Sequence, residues 1–252
     1  MACDSGFCHA LFIGGVFLLA GFVKGVVGLG LPTVAVGMLG LVMPPAQAAA
    51  LLVAPSMVTN VVQLWSGPRF GALLARLWPM MIGIVLGTLV AGALAPRSAM
   101  AKATAALGVV LALYALAGLS AWHPAVPKAH ERWLGALAGL VTGAITAVTG
   151  VFVIPAVPYL QGLGLARDEL VQALGLSFTV STAALAISLA LGGVLGHAPV
   201  IGTSLAALAP ALAGMWIGQR LRDRIPPARF RQVFFFGLLV LGADLARRGW
   251  HG

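Results

Sequence analysis

Charge is what this sequence has least of. Its 252 residues include 15 Lys+Arg and 6 Asp+Glu, so 8% are charged while 60% are hydrophobic. Soluble domains carry roughly 25% charged residues. With a mean hydropathy of +1.03, the chain cannot dress a water-facing surface, which excludes a soluble globule and predicts an integral membrane protein. Acidic groups are scarcest. Asp4, Glu131, Asp168, Glu169, Asp223 and Asp244 all fall in loops or near the ends of apolar runs. No paired carboxylates sit inside, which argues against a membrane-embedded acid/base enzyme and against a buried metal site. Cysteine is nearly absent. Cys3 and Cys8 stand together near the start without metal-ligand spacing, as a pair in an oxidising compartment or as free thiols. His9, His123, His130, His197 and His251 are scattered at span ends. A Ser-His-Asp order, a phosphate-binding loop and HExxH are all missing. The expectation is no enzyme, no cofactor and no metal.

Cations are in excess, giving a net charge of +9. They do not form a stripe interleaved with aromatics, so nucleic acid is not expected. Most stand between apolar runs, as Arg220, Arg222, Arg224, Arg229 and Arg231 do. That placement suits a topological role beside anionic headgroups. The start of the chain lacks a basic segment and a small-residue cleavage site, so the first apolar run is expected to remain as a span.

Apolar runs cover 10–45, 46–66, 71–95, 99–121, 133–165, 169–196, 199–219 and 230–246. Their continuity, without alternation of period two, selects helices over a barrel. Two runs, 10–45 and 133–165, are far too long for one span of roughly 20 residues, and both are broken by glycine and proline. The first contains Gly21, Gly25, Gly28, Gly30 and Pro32; the second contains Gly139, Gly143, Gly150 and Pro155. Each opens with Gly-x-x-x-Gly. Further matches follow: Gln47-Ala48 with Gln172-Ala173, and Pro79, Gly83, Gly87 and Pro96 with Pro210, Gly214, Gly218 and Pro227. The series predicts two tandem membrane repeats, residues 1–125 and 126–252, in one transmembrane domain.

The fold class is therefore an all-α integral membrane protein with four to five helices or half-helices per repeat, eight to ten elements altogether. Counting each broken run as one element makes the repeats parallel; counting it as two makes them inverted. With ten elements the loop cations divide into ten on one face (Arg69, Arg76, Lys128, Arg132, Arg167, Arg220, Arg222, Arg224, Arg229, Arg231) and four on the other (Arg97, Lys102, Arg247, Arg248). With eight they divide 8 to 6. The ten-element model obeys the positive-inside rule better and places both termini outside, in the periplasm of a bacterial inner membrane.

Lys24 is the cation set well inside an apolar run. A cation at a helix centre costs about 2.5–3.5 kcal/mol, so it faces a cavity or partner unless its stem reaches the interface. The broken segments beside it, Gly28, Gly30 and Thr33 in the first half and Thr146, Thr149 and Gly150 in the second, are candidate binding elements. Half-helix N-termini suit anions, and matched interruptions in two repeats point to a transporter's site; the same glycines also serve close helix packing. Ser56, Thr59, Asn60 and Gln63 share one helix face, as do Ser177 and Ser181. These groups either donate to an anion or tie helices together.

At these residues the sequence resembles the sulfite exporter TauE/SafE family of membrane permeases. The resemblance rests on Gly21–Pro32, Gly139–Pro155 and Leu163-Gly164-Leu165. It implies transport of sulfite, organosulfonates or related organic anions. The first half has Gly28-Leu29-Gly30-Leu31 where the family often has a longer glycine run, and the second half has only Gly150, so the substrate is open. The expected mechanism is secondary transport by alternating access, with the anion held between repeats. Expected partners are the anion and the bilayer; a coupling ion (H+ or Na+) and a homodimer stay open. The rival reading is a structural or channel-like subunit of a membrane complex.

Overall fold

The computed structural model describes residues 5–95, 102–120, 125–196 and 198–251. Cys3, Pro96, Arg97, His123 and His197 lie outside them. Among the described residues there are ten α-helices and no strand. They are α1 (Ser5–Val27), α2 (Leu31–Leu39), α3 (Pro45–Trp65), α4 (Phe70–Leu94), α5 (Ala103–Leu119), α6 (Glu131–Thr149), α7 (Ala156–Gly162), α8 (Arg167–Leu191), α9 (Ala198–Leu221) and α10 (Pro227–His251). Six of the helical stretches are long and apolar enough to cross a bilayer. Cys8 is disulfide-bonded.

Each overlong run is two helices. In the first, Gly28 (φ 80°) and Gly30 (φ 112°) adopt left-handed backbone that ends α1, and Pro32 occupies the first turn of α2, where a missing N–H costs nothing. In the second, Gly150 (φ 73°) terminates α6 and Pro155 precedes α7. At 1.5 Å per residue, nine-residue α2 and seven-residue α7 reach only about 13 and 10 Å, well short of a membrane core. Each half of the chain therefore reads long, short, long, long, long.

Glycine decides how the long helices meet. Gly21 and Gly25 of α1 lie against Ala211, Met215 and Gly218 of α9, with residue numbers rising together, so this pair runs parallel. Gly83 and Gly87 of α4 meet Ala136 to Ala144 of α6 in the same sense. A Cβ at any of these four glycines would strike the neighbouring backbone, so only glycine permits this approach. Two other pairs run antiparallel. Gly108 of α5 faces Gly242 and Ala246 of α10 while Gly118 faces Phe235. In the centre, Ser56 of α3 pairs with Thr182 of α8 while Gln63 reaches Val171.

The C-terminal ends of α1, α3 and α9 and the N-terminal end of α8 converge around one cavity. The Arg69–Glu169 and Arg76–Glu131 ion pairs join α4 and α6 to the same end of the molecule, and Val126 N–H donates to Gly162 O, placing the end of α7 there. Arg231 of α10 and Gly118 of α5 line a neighbouring cleft with Val27 of α1. Cations thus gather at this end, while Lys102, Arg247 and Arg248 mark the other. Between the ends, Leu86, Val90, Leu116, Ile187, Leu205 and Phe236 are exposed, an apolar girdle that suits lipid and not water.

Candidate functional site

Lys24 sits in the last turn of α1, where the open helix carbonyls favour a positive side chain. The break after Val27 turns the chain away and leaves the ammonium facing α3. There Nζ donates to Thr59 Oγ1 at 3.0 Å and to Asn60 Oδ1. Lys24 is only 2% exposed. Both partners are neutral, so the charge of this buried cation is met by dipoles alone. A buried ammonium keeps its charge only with such hydrogen bonds or a counter-charge.

Asn60 is fixed from its other side. Its Nδ2 donates to Ser56 Oγ at 3.0 Å and Thr182 Oγ1 at 3.2 Å, and Ser56 and Thr182 lie 3.2 Å apart. The amide oxygen is therefore the group left for Lys24. Thr59 donates to Pro55 O at 2.7 Å. Pro55 lies inside α3 and lacks an N–H, which frees the carbonyl of Leu51; Ser204 of α9 fills the gap, donating to Leu51 O at 2.9 Å. One turn beyond Asn60, Gln63 Nε2 donates to Gly28 O at 2.9 Å and Val171 O at 3.1 Å. It ties the break in α1 to α8.

Lys24, Gly28 and Gln63 line a cavity of about 490 Å³ together with Gly25, Ser66, Arg167, Asp168, Met215, Gln219 and Arg222. Three cations and one carboxylate surround it. The first turn of α8 already carries Asp168 and Glu169, which answer that helix terminus. The described arrangement can therefore attract a small anion at its mouth and offer it the buried ammonium at its floor.

The second break is built otherwise. Thr142 Oγ1 accepts from Ala156 N at 3.0 Å, capping the start of α7. Thr146 donates to Thr142 O at 2.7 Å, Thr149 donates to Ile145 O at 2.8 Å, and Val151 N donates to Thr149 Oγ1 at 3.2 Å. Gly150 packs on Ala49 and Val36. Nearby, Gly92 of α4 packs on Ser188 of α8, and just beyond, Gly192 and Gly193 line a second cavity of about 800 Å³ with His9, Gln47 and Pro199.

Of the candidates read from sequence, the structure brings Lys24, Gly28, Asn60 and Ser56 into one connected group. Ser177 and Ser181 are fully buried on α8, and neither hydroxyl has a hydrogen-bond partner. Gly30 packs on Val23 and Phe234, and Thr33 donates to Gly30 O at 2.9 Å; both lie behind the break. Thr146, Thr149 and Gly150 belong to the other break. Sequence reading put Thr59 and Gln63 on the Asn60 face but did not single them out; Thr182, which joins them, lies one position beyond Ser181. Thr142 and Ser204 it passed over. Thr142 had one visible signal, since it precedes Gly143 as Lys24 precedes Gly25. Ser204 had none, because its partner is on a distant helix.

A profile of the protein family described as Sulfite exporter TauE/SafE matches residues 13–245 of the chain. No curated protein and no solved structure matches it.

Proposed function

Because the chain belongs to the sulfite exporter TauE/SafE family, a family of membrane permeases, we propose that it is a secondary transporter of small sulfur-containing or organic anions whose site is the Lys24 cavity. The carrying observation is a buried lysine whose ammonium has only neutral partners and which lines one cavity with Arg167 and Arg222. An anion oxygen arriving there gains a charge-assisted hydrogen bond in a low-dielectric setting. The cavity is lined from the C-terminal end of α1, and the N-terminus of α7 is already occupied by Thr142. In this reading Lys24 and the α3 face hold the anion, rather than the half-helix N-termini.

Transport follows from the relation between halves. The pairs α3/α8 and α5/α10 occupy matching places in the two halves and run antiparallel, which supports inverted repeats. In this reading access alternates between the Lys24 cavity at one end of the molecule and the second cavity, of about 800 Å³, at the other. Gathering of cations at the cavity end supports a cytoplasmic mouth by the positive-inside rule, with both termini outside, in keeping with the disulfide on Cys8. In this reading an ion gradient, a partner or the anion's own gradient drives the movement.

The test is a thermal-shift screen of purified protein against sulfite, sulfate, thiosulfate, simple sulfonates and carboxylates. A bound anion raises Tm with the logarithm of its concentration over Kd, and Lys24→Gln abolishes that rise. If no anion shifts the wild-type protein, the permease reading fails.

A further inference from the structure

A side chain that lines the Lys24 cavity carries a buried acceptor without a partner. Gln63 is 5% exposed and lines the cavity beside Lys24. Both hydrogens of its amide are spoken for, Nε2 donating to Gly28 O at 2.9 Å and Val171 O at 3.1 Å. Turning the amide over would set Oε1 against two carbonyl oxygens, so the side chain cannot offer a donor to the cavity. Its Oε1 is buried and has no hydrogen-bond partner. Ser66, the nearest hydroxyl along α3, donates to the Gln63 carbonyl at 2.7 Å and is not available. A buried acceptor left unmade costs free energy that a ligand donor can recover.

We infer that this site recognises a small oxyanion carrying a second group that donates a hydrogen bond, an O–H or N–H near the anionic head. The inference rests on the permease reading above. The oxyanion meets Lys24 Nζ, and the donor meets Gln63 Oε1 across the same cavity. Spherical anions and fully deprotonated inorganic oxyanions meet only the first requirement. The site therefore discriminates by adding a demand for a donor to a demand for negative charge, and a site built around a polar group rejects the analogue lacking it more strongly than an apolar pocket rejects a missing methylene.

Matched ligands test this without altering the protein. Dissociation constants are measured by calorimetry or thermal shift for ethanesulfonate, 2-fluoroethanesulfonate and 2-hydroxyethanesulfonate, and for propionate and 3-hydroxypropionate. Fluorine approximates the size of the hydroxyl but donates nothing. The hydroxylated member of each set should bind about tenfold more tightly than its partners. In Gln63→Met the members of a set should bind alike; should that variant not fold, the fluoro and hydroxyl sulfonates still decide the matter on the wild-type protein. Equal binding of fluoro and hydroxyl ligands overturns the inference while leaving the permease reading intact, as does binding of sulfite or sulfate with no binding of either organic set. A hydroxyl preference that survives in Gln63→Met also overturns it. No response to any anion removes both readings together.

Discussion

The two broken helices start alike and end differently. Gly21-Phe22-Val23-Lys24-Gly25 and Gly139-Leu140-Val141-Thr142-Gly143 each press two glycines onto a helix from the other half of the chain, α1 onto α9 and α6 onto α4. The residue before the second glycine then diverges. Lys24 crosses to α3 beside an open cavity, whereas Thr142 folds forward onto Ala156 N and the following threonines bond their own backbone. A long ionic side chain cannot be satisfied within one turn of its own helix, and a short hydroxyl can. The same packing frame thus carries an unfulfilled site in one half and a self-sealed joint in the other.

The largest test of this contrast is Lys24→Gln. It should reduce anion uptake into proteoliposomes by about 100-fold, the scale of a lost charged hydrogen bond, while size-exclusion profiles stay those of the folded protein. Retained uptake would take Lys24 out of the site. Asn60→Leu comes next, removing the oxygen that orients the ammonium; Kd should weaken by about tenfold, read by calorimetry.

Thr142→Val should behave in the opposite way. Leaving the Ala156 N–H unpaired costs about 1–3 kcal/mol, seen as a lowered Tm, with anion affinity unchanged. A Thr142→Val protein of normal stability but weakened binding would reverse the roles assigned to the two breaks. The smallest effect is expected at the mouth. Arg222→Gln should slow uptake a few-fold at low ionic strength and not at high salt, since exposed charges steer ligands over a screened range; stopped-flow uptake across a salt series measures it.

Some of this was legible in the residues. Gly28, Gly30 and Gly150 marked where helices end, because left-handed backbone suits glycine, and Lys24 stood out because ammonium is expensive in an apolar run. The face shared by Ser56, Thr59, Asn60 and Gln63 followed from helical spacing alone. What spacing could not give was direction across space. Spacing alone did not show that Thr146 and Thr149 donate to Thr142 O and Ile145 O while Asn60 reaches Lys24 and Thr182. Gln63 gained its meaning from Gly28 and Val171, one in the break of its own half and one 108 positions away.

Composition and local pattern by themselves determined a helical membrane protein, the two interrupted runs and the buried cation, because hydropathy, helix period and glycine backbone freedom act over a few residues. Tertiary structure alone decided that α1 lies along α9, that Lys24 lines a cavity while Thr142 caps α7, and that the Gln63 amide presents an acceptor. Each of these depends on which backbone from a distant helix comes within hydrogen-bond reach, and no local spacing encodes that distance.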